Sequence, residues 1–213
     1  MTTATGDMSM PSEYPVSLAV QRPDSQSRLT NFPLFIGTFI RSILLIPHFI
    51  ILYLFGLLAA VVYFIATFAI LFTGRYPEGL YNLIVAYTRW IAHMYGYLLH
   101  LNDKYPPFSG DASPGYPLQF STVYPGTASR LLNFPLFIGM FIRVILLIPH
   151  IIVIYFLFLV AFIIVFIAQF AILFTGSFPA GMHGFVAGTL RWNTRISAYL
   201  YGLTDKYPPF SMS

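Results

Sequence analysis

The chain has 213 residues, 57% of them hydrophobic and only 8% charged, against about 25% charged in an ordinary soluble domain, so water is not its only solvent. It has no cysteine, which excludes disulfides, iron–sulfur clusters and thiolate catalysis. Its net charge of +4 comes from 11 Lys and Arg against 7 Asp and Glu with no basic cluster, which fits an anionic membrane surface and excludes a nucleic-acid track.

Residues 1–13 lack a basic segment followed by an apolar core, so they are no signal peptide and are expected to form a disordered tail. Beyond them the sequence repeats itself. Asn-Phe-Pro-Leu-Phe-Ile-Gly at 31–37 recurs at 133–139, and Leu-Leu-Ile-Pro-His at 44–48 recurs at 146–150. Ala-Ile-Leu-Phe-Thr-Gly at 69–74 recurs at 171–176, and Asp-Lys-Tyr-Pro-Pro-Phe at 103–108 recurs at 205–210. Every pair is offset by 102 positions. About half of roughly 96 aligned positions are identical, far beyond what a shared period alone would produce. The organisation is therefore a tail (1–13), a first membrane repeat (14–109), a turn-rich linker (110–115) and a second repeat (116–213).

Within a repeat the elements follow in order. Tyr14, Val16, Leu18 and Val20 alternate with Ser17, Ala19 and Gln21, the period of a strand with one buried face, and Tyr116, Leu118, Phe120 and Thr122 repeat it. Residues 33–46 form a short helix with Pro33 in its first turn and Gly37, Thr38, Arg41 and Ser42 on one side. At about 21 Å it is too short to cross a bilayer and is expected to lie at the interface with Arg41 toward the headgroups. Pro47 is expected to break or kink the chain. Residues 49–72 then carry no charge, and 151–174 match them with one Gln169; about 36 Å of helix is enough to cross a hydrocarbon core of ~30 Å.

After a tight turn at 73–77, a second helix is predicted over 78–101. Glu78, Asn82, Arg89, His93, Gly96 and His100 form a narrow stripe on an otherwise apolar wheel. In the second copy that stripe reads Ala180, Gly184, Arg191, Arg195, Ala198 and Gly202. So narrow a line suits a spanning helix turned toward other helices. The predicted fold class is mainly α and integral to a membrane: two tandem helical hairpins giving four transmembrane helices, two short interfacial helices and short cytoplasmic β segments. Arg22, Arg28, Arg41 and Lys104, with Arg130, Arg143 and Lys206, crowd one end of each hairpin, which places termini and linker in the cytoplasm on the positive-inside rule. Proline limits the Tyr-Pro-Pro-Phe tails to edge pairing in a small cytoplasmic cap.

These landmarks resemble a bacterial membrane family known as domain of unknown function 4389. The matching residues are 41–48 with their Ile-Pro-His, 72–77 with their Thr-Gly-Arg-Tyr-Pro, Arg89-Trp90, and 103–108, together with their second-copy equivalents 143–150, 174–179, Arg191-Trp192 and 205–210. The second copy departs at Ser177, where the first has Arg75. The resemblance implies a protein of the cell (inner) membrane in two tandem copies and brings no activity or catalytic residues with it.

The candidate binding residues are cationic. Arg89, Arg191 and Arg195 fall near the middle of predicted spanning helices, where a cation costs roughly 2.5–3.5 kcal/mol on the insertion scale. No acid lies at matching depth in the chain, so either an anion answers them or the guanidinium groups snorkel or bond to carbonyls. With His93, Arg41, Arg143, His48 and His150 they form a candidate anion- or lipid-binding set. Asp103-Lys104 is expected to cap the helix exit in solvent, and Trp90 and Trp192 to serve as packing or interface anchors. No catalytic constellation, cofactor motif or metal-ligand spacing is present. The functional expectation is a non-enzymatic scaffold or accessory subunit beside a larger membrane complex, its partners lipids and other membrane subunits or its own copies. The alternative is a small transporter, channel or anionic-lipid-binding protein using the Arg stripe.

Overall fold

A computed structural model describes residues 14–213, so the expected tail at 1–13 lies outside the described residues. The element order is β1 (Val16–Val20), α1 (Ile36–Leu44), α2 (Ile46–Thr73), α3 (Glu78–Leu98), β2 (Leu118–Thr122), α4 (Ile138–Thr175) and α5 (Ala180–Leu200). Each long helix stops at a glycine in the left-handed region: Gly74 at φ 70° and Gly176 at φ 76° return their N–H to Ile70 O and Ile172 O. Pro77 and Pro179 then start α3 and α5 from an extended residue that cannot continue the preceding helix.

The expected kink at the prolines is met in one repeat. In the first, α1 and α2 part at Leu45 (φ −85°, ψ −4°); in the second, Pro149 sits inside an unbroken α4 of 38 residues. The break at Leu45 is shallow, because Leu45 N–H still reaches Arg41 O and Phe49 N–H reaches Leu45 O at 2.9 Å.

The strands pair with each other rather than with the proline-rich tails. β1 and β2 run antiparallel with Leu18 opposite Phe120, the one facing pair related by the 102-position offset, so the repeats are related by a pseudo-twofold axis through that pair. Val16, Leu18, Leu118 and Phe120 point inward, whereas Ser17 and Ser121 on the outer face join hydroxyl to hydroxyl at 2.8 Å. The ribbon rests on the middle helices, β1 on α5 and β2 on α3. Those helices pack against each other and then against α2 and α4, giving three layers: ribbon, α3 with α5, and α2 with α4.

This arrangement departs from three expectations. First, α3 and α5 are mostly buried beneath the ribbon and against the long helices, and among the described residues two helices, α2 and α4, are long and apolar enough to cross a membrane, where four were expected. Second, the small and cationic stripe of α3 and α5 faces the ribbon instead of other spanning helices: Gly96 lies under Leu118, and Arg191 Nε donates to Leu18 O. Third, the hairpin turns do not share an end. Phe35 at the start of the first repeat packs on Phe162 and Phe166 late in α4, and Phe64 late in α2 packs on Phe137 before α4, so the two long helices run antiparallel. Each turn is consequently held by the other repeat, Ala128 N–H to Gly74 O and Gln26 N–H to Gly176 O.

Gly37 and Gly139 permit the tight entry into α1 and α4. A Cβ on Gly37 would stand 2.7 Å from Phe32 N, and one on Gly139 2.4 Å from Phe134 N, both rigid backbone. Gly37→Ala and Gly139→Ala are each expected to lower stability by about 1–3 kcal/mol, seen as a lower thermal midpoint in detergent. Gly181→Ala, where a Cβ meets nothing within 4 Å, is the control that leaves the midpoint unchanged or higher.

Candidate functional site

Arg41 and Arg143 do not point to headgroups; both are fully buried. Arg41 sits on the inner face of α1, and its five N–H donors meet five acceptors. Nε donates to Thr30 O at 2.9 Å, Nη1 to Tyr97 O at 2.6 Å and Asn102 O at 2.7 Å, and Nη2 to Asn31 Oδ1 at 3.0 Å and to the Asp103 carboxylate. The guanidinium also lies 4.4 Å over the Tyr97 ring. Arg143 reproduces the set with Leu132 O, Tyr199 O, Thr204 O, Asn133 Oδ1 and Asp205. A guanidinium has no sixth N–H, so neither arginine has a donor left for an external anion.

Asp103 and Asp205 accordingly serve as internal counter-ions rather than solvent-facing caps. Besides its ion pair, Asp103 accepts Asn31 Nδ2–H at 2.8 Å and Ser27 N–H at 2.5 Å. Asn31 and Asn133 were not among the sequence candidates. The signal for them was their recurrence at the repeat offset in step with the arginine and the aspartate.

The histidines on the long helices join a second conserved geometry in each repeat. Trp90 Nε1–H donates to His48 Nδ1 at 2.8 Å, which puts the imidazole proton on Nε2, and Phe108 of the tail stacks on the ring at 4.0 Å and 8°. Trp192, His150 and Phe210 repeat this at 2.9 Å and 3.8 Å. Tyr105 and Tyr207 hydroxyls donate to Leu44 O and Leu146 O beside the prolines. The Ile-Pro-His, Arg-Trp and Asp-Lys-Tyr-Pro-Pro-Phe landmarks are thus three parts of one clasp that holds each tail against its own hairpin. The tryptophans anchor packing, as expected, and also supply the polar end of the clasp.

The remaining candidates lie under the ribbon and do not meet the first group. Arg89 Nη1 donates to Gly110 O at 2.6 Å, Arg191 Nε to Leu18 O at 3.1 Å and Arg195 Nη2 to Ser211 O at 2.5 Å. His93 Nε2 contacts Leu118 O at 3.1 Å. All four groups bond to backbone carbonyls of the ribbon, linker or tail, which is the carbonyl alternative of the sequence reading. A cavity between α3 and α5, lined by Ile91, Tyr95, Asn193 and Thr194, measures about 10 Å³, room for at most one water.

One polar cluster breaks the pseudo-symmetry. His100 Nδ1 donates to Asn31 Oδ1 at 2.6 Å, while its Nε2 faces Thr38 Oγ1 at 2.9 Å and Gln169 Nε2 at 3.3 Å. The second repeat has Met140 and Gly202 where the first has Thr38 and His100. Burial, and then the charge of Arg41, hold His100 well below its ordinary range, so it is neutral in the folded protein.

A duplicated helical hairpin under a two-stranded ribbon, with two long apolar helices on its outer face, is the class of protein this architecture defines. The family model described as Domain of unknown function (DUF4389) matches residues 36–110 and 138–212, and the chain belongs to that family, in two tandem copies. No curated protein and no solved structure matches the chain.

Removing one partner of a buried ion pair strands the other charge. Asp103→Ala and Asp205→Ala are each expected to destabilise by about 3–5 kcal/mol and to expose the corresponding tail to limited proteolysis. The His100 shift has a definite sign. Its folded value lies below the unfolded 6.5, so the unfolded chain binds the extra proton, and the stability His100 contributes is complete above about pH 6.5 and lost as pH falls below it. His100→Gly, the second repeat's residue, suits the backbone there (φ 61° at His100, 71° at Gly202). It is expected to make the fall of the thermal midpoint in acid shallower than in the parent chain.

Proposed function

We propose that this protein is a non-enzymatic scaffold or accessory subunit of the cell membrane, held there by α2 and α4. The observation that carries this reading is a division of labour between surface and interior. α2 and α4 present Phe, Ile, Leu and Val to the outside along their length, while the arginines and histidines singled out in the sequence bond to partners inside the protein. An exposed apolar area of this extent marks a membrane or protein interface. Its cationic residues at 22, 28, 104, 130 and 206 are exposed, and the positive-inside rule puts them on the cytoplasmic side.

The transport or anionic-lipid alternative draws on Arg89, Arg191 and Arg195, whose bonded partners are carbonyls rather than carboxylates. The cavity between α3 and α5 has room for one water at most and gives that reading no support.

Purification in mild detergent separates the two. A fixed set of co-purifying membrane subunits, unchanged in Arg89→Leu/Arg191→Leu, is the outcome expected. A monodisperse homo-oligomer whose tightly bound anionic lipid is lost in that double variant would replace the scaffold reading with the lipid-binding one. A chain that stays dispersed in buffer without detergent would remove the membrane from both.

A further inference from the structure

We infer that α2 and α4 lie flat in one leaflet of an anionic bilayer, their axes parallel to the membrane plane and the pseudo-twofold axis along its normal. This rests on the membrane reading above and adds the orientation. Both long helices could also cross the lipid, and four features of the fold favour lying in it.

The first is length. α4 has 38 residues, about 57 Å of helix, nearly twice a hydrocarbon core of ~30 Å. The diameter of a helix, about 10–12 Å, fits one leaflet of that core.

The second is the ribbon. It lies alongside α3 and α5, which lie alongside α2 and α4. Crossing helices would carry the ribbon to the same depth, with its open edges and its exposed Ser17 and Ser121. Open sheet edges do not occur within hydrocarbon. With the helices flat, the ribbon is on the opposite side of the protein and stays in water.

The third is charge. Because α2 and α4 run antiparallel, crossing would send Arg28 and Lys104 to one side of the membrane and their equivalents Arg130 and Lys206 to the other. A twofold axis along the normal keeps each such pair at one depth on one side, as the positive-inside rule requires. Arg130 Nε bonds Leu71 O at the end of α2, and Arg28 reaches Gly176 at the end of α4, so a cation stands at each end of the apolar layer, placed for anionic headgroups.

The fourth is the surface itself. Ile50, Val61 and Phe72 are 59%, 55% and 78% exposed, and Ile152, Ile163 and Phe174 are 54%, 58% and 77% exposed. Their 11-residue spacing advances only about 20° per step, so each trio marks one straight line along its helix. No charge interrupts residues 46–73 or 144–175. Ahead of each helix, Leu34 and Phe35 (φ 59° and 62°) and Leu136 and Phe137 (φ 59° and 63°) hold a left-handed backbone unusual for bulky residues. All four side chains remain exposed. Strain that presents apolar side chains to the outside, in both repeats, fits wedges seated below the headgroups.

The absence of cysteine makes the test direct. Single spin labels at Ile50→Cys, Val61→Cys and Phe72→Cys, at the second-repeat trio, and at Ser17→Cys and Ser121→Cys would be read by power saturation with oxygen and a nickel chelate. The probe membrane is a vesicle of phosphatidylethanolamine and phosphatidylglycerol. Equal depth at all six helix positions, in one leaflet, with both ribbon labels in water, is the result expected. A label at 61 deep in the bilayer with 50 and 72 near opposite surfaces, about 33 Å apart along the axis, would overturn the flat orientation and leave the membrane reading standing. Helix labels shielded from both relaxants would mean that a second copy or another protein covers the layer, and would overturn lipid as its occupant. Helix labels open to the nickel chelate would overturn the membrane reading as well. Each substituted side chain is an exposed one, so the fold is retained.

Discussion

One guanidinium group sealed from solvent sets the geometry of each repeat, Arg41 in the first and Arg143 in the second. A buried cation is tolerated only where every donor is answered, and answering Arg41 takes acceptors from the loop before α1, the end of α3 and the start of the tail. These segments are far apart in the chain, so the arginine fixes where α1 sits on α3 and where the chain leaves the hairpin. Tyr97 offers its carbonyl as acceptor and its ring as a face for the same cation, which ties the last turn of α3 to the first helix twice. The aromatic clasp built on His48, Trp90 and Phe108 then continues the line of attachment along α2.

Duplication supplies what one hairpin lacks. A lone two-helix unit with a single strand would leave that strand unpaired and the polar stripe of α3 or α5 facing water. Antiparallel pairing of β1 with β2 forms the ribbon that covers both stripes, and each repeat's turn is received by the loop of the other. The repeats have also diverged where the axis permits. Thr38, His100 and Gln169 form a polar junction at one end, whereas Gly202 at the other packs against Asn133 and Tyr63. The left-handed backbone at 100 and 202 is common to both, filled by histidine in one and glycine in the other.

The arginines that first suggested a binding line therefore act as fasteners. A guanidinium under the ribbon can reach a carbonyl that the strand ladder leaves unpaired, and Arg191 does so at Leu18. What remains for the outside is an apolar layer on one face and a mixed polar ribbon and linker on the other. That polarity belongs to the assembled layers. Taken alone, neither α2 nor α4 carries a polar outer face; the polar residues His48 and Thr67, or Arg143, His150 and Gln169, are buried on the inner side together with Ala59, Ala66, Ala161 and Ala168.

The sequence by itself determined the duplication, the two strands, the two long apolar helices and the family, because each is written in local periodicity or in identity at a constant offset. It also carried the partners of Arg41, in the sense that Asn31, Arg41 and Asp103 recur together with Asn133, Arg143 and Asp205. It did not assign them to one another, since a salt bridge spanning 62 positions leaves no periodic trace. Only the tertiary structure decided that the stripe of α3 and α5 lies against a ribbon, that α4 runs through Pro149, and that the hairpins oppose each other. A helix wheel records which residues share a face and is silent on what that face meets. A narrow polar line is equally compatible with a neighbouring helix and with a strand offering free carbonyls, and here the antiparallel register through Leu18 and Phe120 selected the strand.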